Sequence, residues 1–236
     1  MHFPDLMKRT LTASMMVVSV GLWLFACAII PWAFFLGIAV LMGISLYEWA
    51  NISKIKPSQL RYWGFLGIIL GFMAWIRMYQ IGHIWNTMWT LACAMFSDVM
   101  AYFGGRIFQG PKLCPRISPS KTYAGAICSL ILAPFCTMFV FNLVGMKLCG
   151  GPSIWSGAVF WFAWPFFLCL CIAAQMGDLL ESVAKRFYGV KDSGTWLPGH
   201  GGLLDRLDSI LSVFVAWVFI YDVVIPLYGY VRHMAS

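Results

Sequence analysis

Thr122–Met146 reads TYAGAICSLILAPFCTMFVFNLVGM, 25 residues without one charged side chain. A helix needs about 20 apolar residues to cross the hydrocarbon core of a bilayer, so this stretch is long enough to span. It is apolar all round and lacks the two-residue alternation of a barrel strand. Six further runs share its character: roughly Leu11–Ile30, Trp32–Ala50, Tyr62–Ile76, Ile81–Gly104, Ser153–Gly177 and Ser209–Val231. The expectation is an all-α polytopic membrane bundle of about seven helices. The whole chain agrees with it: 61% of its 236 residues are hydrophobic, 11% are charged, and its mean hydropathy is +0.80. Soluble domains carry about 25% charged residues.

Basic residues set the orientation. With seven spans, thirteen Lys and Arg fall on one side and three, Arg77, Lys147 and Arg232, on the other. The crowded side, with the N-terminus and the loops around 51–61, 105–121 and 178–208, is therefore expected in the cytoplasm. The run after Lys8 and Arg9 resembles a secretory signal ending at Ala26-Cys27-Ala28. It is longer than a signal core of roughly 7–15 residues, so a retained first helix is expected. The eight cysteines show no metal-ligand spacing and read as packing residues. The 12 tryptophans suit membrane interfaces and helix packing, and no nucleic acid partner is expected.

Against this background one stretch is conspicuous. KDSGTWLPGHGGLLDRLDS, Lys191–Ser209, holds two basic and three acidic side chains, four glycines and a histidine. Just upstream, Asp178 and Glu181 are spaced i, i+3, and Asp205 and Asp208 repeat that spacing. Residues three apart share a helix face, so each pair can present two carboxylates to one point. Two such pairs suit a hard divalent cation held together with substrate phosphates. They equally suit interfacial salt bridges to Lys185, Arg186, Lys191 and Arg206. Gly199, Gly201 and Gly202 around His200 favour the first reading, because glycine backbone can approach a phosphate closely.

A second polar cluster runs from Ser97 to Gly125. Asp98 lies inside an apolar run, where an acid costs about 2.5–3.5 kcal/mol on insertion scales and marks a candidate site. Gly105–Lys112 fails as a P-loop because Pro111 separates Gly110 from Lys112. Arg106, Lys112, Arg116 and Lys121, beside the hydroxyls of Ser118, Ser120 and Thr122, form either a triphosphate cradle or a solvated positive loop.

SVAKRFYGVKDSGTWLPGHGGLLDRLDS, Ser182–Ser209, resembles the signature of phosphatidate cytidylyltransferases, or CDP-diacylglycerol synthases. QMGDLLES (Gln175–Ser182) and the SDVMAYFGGR and ISPSKTYAG segments are similar to the same family. The resemblance implies transfer of CMP from CTP to phosphatidate, giving CDP-diacylglycerol and pyrophosphate. It implies magnesium, alone or with a second cation, held chiefly by Asp178 and Asp205 and then by Asp208 and Glu181. Lys185, Arg186, Lys191 and Arg206 would face phosphates. Asp192 belongs to the same catalytic signature. Ser182, His200, Gly201 and Gly202 would shape the nucleotide loop, with His200 either a proton donor or a loop residue. Asp98, Arg106, Lys112, Ser118 and Lys121 would form the opposite wall.

The partners implied are CTP, phosphatidate and the lipid bilayer, and the oligomeric state allows a homodimer. In a bacterium the enzyme would sit in the inner membrane with its site facing the cytoplasm. Ala184 and Ala124 depart from the family, the latter standing where a Glu is usual. The chain reads as one membrane domain, with 1–90 as N-terminal spans and 91–236 as the catalytic part. It is short for the family, which implies one or two fewer N-terminal spans. The competing readings are a CTP-dependent polyprenol or phytol kinase and a transporter.

The charge asymmetry generates a topology prediction. Cysteine labels at Lys54, Pro115 and Thr195 should react with impermeant reagents from the cytoplasmic face, and labels near Lys147 and at Ser236 only from the opposite face. Reaction of position 236 from the cytoplasm would make the span number even.

Overall fold

The computed structural model describes residues 3–149, 157–197 and 201–226. In chain order it contains α1 (Phe3–Ile29), α2 (Pro31–Ser53), α3 (Leu60–Ile107), β1 (Lys112–Cys114), β2 (Ser118–Thr122), α4 (Tyr123–Cys149), α5 (Gly157–Phe187) and α6 (Leu204–Phe219). A π-helical turn, Ile220–Val224, extends α6. The break between α1 and α2 has a simple cause. Ile30 is extended, at φ −123° and ψ 97°, and Pro31 opens the next helix, where its missing N–H costs nothing. The signal-like Ala26-Cys27-Ala28 lies within α1, and Cys27 is buried.

Five helical segments are long and apolar enough to cross a membrane: Pro31–Ser53, Leu60–Gly82, Tyr123–Leu143, Ala163–Phe187 and Leu204–Val224. The structure therefore shows an integral-membrane type of helix bundle, with fewer clear spans than the seven expected. Among the described residues of α1 only Val18–Ile29 forms a continuous apolar helix. The expected third and fourth spans are one helix, α3, whose second half mixes Asn86, Thr87, Thr90, Ser97 and Asp98 with its apolar residues.

α3 is not straight. Thr90 Oγ1 lies 3.2 Å from Met78 Sδ, although twelve residues occupy about 18 Å of a straight helix. The axis must therefore bend sharply between them. The first half of α3 runs parallel to α6: Gly71 faces Leu211, Trp75 stacks on Phe214 at 4.5 Å, and Arg77 pairs with Asp222 at 3.1 Å. A Cβ on Gly71 would stand 2.7 Å from Leu211 Cβ, so this close approach requires glycine. Lipid tails compete equally for apolar surface, so small residues at crossings are what bring membrane helices together.

The second half of α3 packs along α4. Buried Ser97 and Ser129 hydroxyls lie 2.9 Å apart, and Ser129 also donates to the Ser97 carbonyl. At the same end the purely helical expectation is corrected. β1 and β2 pair antiparallel, with Lys112 opposite Thr122 and Cys114 opposite Ser118. Gln109 and Gly110, at φ 50° and 109°, turn the chain from α3 into this hairpin. The seven described cysteines are free thiols. Trp32, Leu36, Trp63 and Trp161 stand outward, as apolar residues do on a lipid-facing surface.

Candidate active site

The site is built where α5 ends and α6 begins. Gly177 sets the crossing, because a Cβ there would meet Ser212 Oγ and the Asp208 carbonyl oxygen. One residue later Asp178 leaves α5, and Glu181 follows one turn on. Both lie on one face of the helix, as their spacing implies, and the helix continues to Phe187, beyond the expected end of the span at Gly177. α5 stops in a Schellman turn: Val190 N–H donates to the Lys185 carbonyl and Gly189 N–H to that of Arg186. Gly189, at φ 74°, supplies the left-handed residue this turn needs.

Lys185 Nζ then joins the two helices. It donates to Glu181 Oε2 at 2.8 Å and to Asp205 Oδ1 at 2.6 Å, and all three side chains are nearly buried. Asp205 lies at the start of α6, which begins at Leu204 rather than at the expected Ser209. It also accepts Ser193 N–H on both oxygens, at 3.1 and 2.9 Å, and Gly202 N–H at 2.8 Å. The geometry thus makes Asp205 the organiser of the connecting loop, with its oxygens already shared among three donors.

A residue absent from the sequence reading completes this corner. Glu48, in α2, is 1% exposed. Its carboxylate accepts Leu203 N–H at 2.9 Å, Leu204 N–H at 2.8 Å and Ser193 Oγ–H at 3.1 Å. An acid inside an apolar run was the available signal, the same one that singled out Asp98.

The end of α3 and the hairpin form the opposite wall. Lys121 pairs with Asp178 at 2.7 Å, and Arg106 donates to Tyr102 Oη at 2.7 Å. Between the walls lies a polar cavity of about 720 Å³. Of the expected residues it brings together Asp98, Arg106, Lys112, Lys121, Asp178, Lys185, Asp192, Asp205, Arg206 and Asp208. Gln175, Ser120 and Thr122 join them.

Other expected residues lie elsewhere. Arg186 donates to the Ile117 and Val190 carbonyls, tying the hairpin to α5 rather than facing the cavity. Ser182 Oγ reaches back to Asp178. Ser118 and Lys191 do not line the cavity, and neither do Gly201 and Gly202, which shape the loop behind Asp205. Pro198, Gly199 and His200 lie outside the described residues.

The residues suit a cation. Asp98, Asp178 and Asp208 line the same cavity within electrostatic reach of one another. Glu181 Oε1 is buried against the Asp208 carboxyl, so two acids crowd this point. Among the described residues no three acid, histidine or cysteine side chains close around a single point. The oxygen-only donors Asp98, Asp178 and Asp208 are of the type magnesium takes, one or two at a time.

The family model for the cytidylyltransferase family matches residues 60–224. The chain belongs to the cytidylyltransferase family. Proteins named phosphatidate cytidylyltransferase resemble it in several bacteria. The Brucella abortus protein is 35% identical over 185 residues, covering 75% of this chain and 59% of its own. The protein from Helicobacter pylori strain 26695 is 41% identical over 143 residues, 60% of this chain and 49% of its own. The chain thus spans about half to three-fifths of the length of these relatives.

A second cavity, of about 690 Å³ and almost wholly apolar, lies between the first half of α3, α5 and α6. Trp63, Gly67, Leu70, Met176, Leu180 and Phe219 are among its walls, and Asp208 lines both cavities.

Lys185 generates a stability prediction. Lys185→Met keeps the length of the side chain but leaves Glu181 and Asp205 without their shared cation. Losing one partner of a buried pair typically costs about 3–5 kcal/mol. Thermal unfolding in detergent should show a midpoint several degrees lower, with a smaller change for Lys185→Arg.

Proposed function

We propose that the protein transfers CMP from CTP to phosphatidate, forming CDP-diacylglycerol and releasing pyrophosphate. The observation that carries this reading is the meeting of two unlike cavities at Asp208, one lined by cations and acids and the other by apolar side chains. A substrate with a charged head and two acyl chains needs both surfaces in contact. The names of the relatives point to the same reaction.

In this reading a phosphate oxygen of phosphatidate attacks the α-phosphorus of CTP. One P–O bond forms, the bond between the α- and β-phosphates breaks, and its electron pair leaves with pyrophosphate. The attacking oxygen is already ionised at neutral pH, so no strong base is required. The work left to the protein is to hold two polyanions together and to offset the charge of the leaving group. Lys112 and Lys121 from the hairpin, Arg106 from α3 and Arg206 from α6 take the phosphates. Lys185 keeps α5 and α6 in register. Asp98, Asp178 and Asp208 would hold magnesium, which when bound would supply positive charge to the phosphates. Asp205 is assigned to the loop instead, because its hydrogen bonds already engage both oxygens.

The reading places seven spans in the membrane, counting α1 and both halves of the bent α3. The cation-rich end then faces the cytoplasm, where CTP is found, and in a bacterium the membrane is the inner one. The acyl chains occupy the apolar cavity.

Purified protein supplied with CTP, phosphatidate and magnesium should release pyrophosphate and form CDP-diacylglycerol in equal amounts. Asp208→Asn should lower turnover at least about a hundredfold, on the scale of metal-assisted charge stabilisation. Release of CDP with a phosphorylated lipid product would replace this reading with the kinase.

Gly67 tests the acyl site. A Cβ there meets nothing within 4 Å, so Gly67→Leu fills the apolar cavity without displacing backbone. KM for long-chain phosphatidate should rise by about tenfold, the scale of one to two kcal/mol of lost apolar contact, while KM for CTP stays the same. Equal kinetics for both substrates would move the acyl chains elsewhere.

A further inference from the structure

The first turn of any α-helix leaves four N–H groups without helical partners. In α6 each can be traced. Leu203 and Leu204 donate to the two oxygens of Glu48, Asp205 donates to Ser193 Oγ, and Arg206 donates to the Leu203 carbonyl. No side chain of the loop caps this helix by itself. The cap comes from α2, 155 residues away in sequence. Ser193 Oγ–H also donates to Glu48, so the carboxylate fastens both ends of the segment that carries the signature loop.

Two glycines bear the imprint of the same group. A Cβ on Gly194 would run into Glu48 Oε1, and one on Gly202 would stand 2.8 Å from that oxygen. The two described flanks of the loop, at Gly194 and Gly202, are therefore shaped around the Glu48 carboxylate. α2 is fixed at this level by the next residue. Trp49 Nε1 donates to the Arg61 carbonyl at 2.9 Å, and the Trp49 ring meets Tyr188 edge to face at 5.7 Å.

We propose that Glu48 is a positioning residue for the transfer reaction: it fixes the α6 N-terminus and the Ser193–Gly202 loop, and thereby the Lys185–Asp205 link and the Asp208 turn. This role rests on the cytidylyl-transfer reading. It brings the N-terminal spans into the catalytic apparatus, because Glu48 precedes the matched region, 60–224. Glu48 itself lines neither cavity, so its effect passes through the loop and the first turn of α6.

Glu48→Gln keeps the shape but turns an amide NH2 toward at least one backbone N–H that now finds an acceptor. The expected result is a kcat lower by about tenfold or more, as for loss of a buried hydrogen bond to a charged group, with KM for CTP changed less than about twofold. Helical content should be unchanged. Amide exchange measured by mass spectrometry should accelerate in peptides covering 193–206 and remain as in the parent protein in α4. Ser193→Ala, which removes only the hydroxyl, should give the same pattern more weakly, and it serves alone if Glu48→Gln does not fold. Combining the two should cost less than the product of their separate effects.

A normal kcat in Glu48→Gln, or in Ser193→Ala where only that variant folds, would overturn the proposal. So would exchange that rises evenly through all helices. If the parent protein makes no CDP-diacylglycerol, the transfer reading fails, and the exchange measurement, which needs no substrate, still decides whether Glu48 holds the loop.

Discussion

Lys185 holds the site together. Its ammonium group sits between a carboxylate on its own helix and one on the next, at 2.8 and 2.6 Å. Buried carboxylates this close need a partner, and a shared cation supplies it only if α5 and α6 keep their register. The chain of dependence continues outward. Asp205, held by Lys185, accepts the Ser193 and Gly202 amides. Ser193 and the first amides of α6 in turn hold the Glu48 carboxylate. One charged contact is thereby linked, by hydrogen bonds without a gap, from α5 through α6 to α2.

The helix crossings serve this arrangement. Gly177 lets α5 approach α6 at the level where Asp178 and Asp208 turn toward the cavity, and Gly71 does the same for α3 and α6. Neither contact gains much from the hydrophobic effect in a bilayer, so steric fit decides it. The same economy explains the two cavities. An apolar space among helices is stable where lipid can fill it, whereas a polar space is stable only where water or ions reach it. Their meeting at Asp208 marks the boundary between these environments within the protein.

Several site residues act through position rather than through exposure to the cavity. Arg186 bonds the hairpin to the end of α5. Ser182 reaches back along α5 to Asp178. A polar residue in such a motif can serve the backbone as readily as a ligand, because buried carbonyls and amides must also be paired.

The membrane-spanning class, the polar end of the bundle and the acids that gather there were legible in the sequence. Each follows from local composition: apolar length, the side on which Lys and Arg fall, and i, i+3 carboxylate spacing. The family followed from the register of Ser182–Ser209. A boundary between Tyr62–Ile76 and Ile81–Gly104 was legible, but not that one helix runs through it, because apolar length does not say whether the chain breaks or bends there. Nor was the division of labour among the acids. Asp178 and Asp205 look alike in sequence and line the same cavity, yet one pairs with Lys121 across it and the other is taken up by Lys185 and two loop amides. Glu48 stands out in sequence only as an acid inside an apolar run, and its role was hidden for the same reason. Its partners lie about 150 residues downstream, and only the packing of α2 against the start of α6 brings a carboxylate to amides that need one. Sequence determined which groups are present and at which end of the apolar spans they gather. Tertiary structure decided which of them are consumed by one another, because hydrogen bonding inside a low-dielectric bundle depends on distances that chain order does not contain.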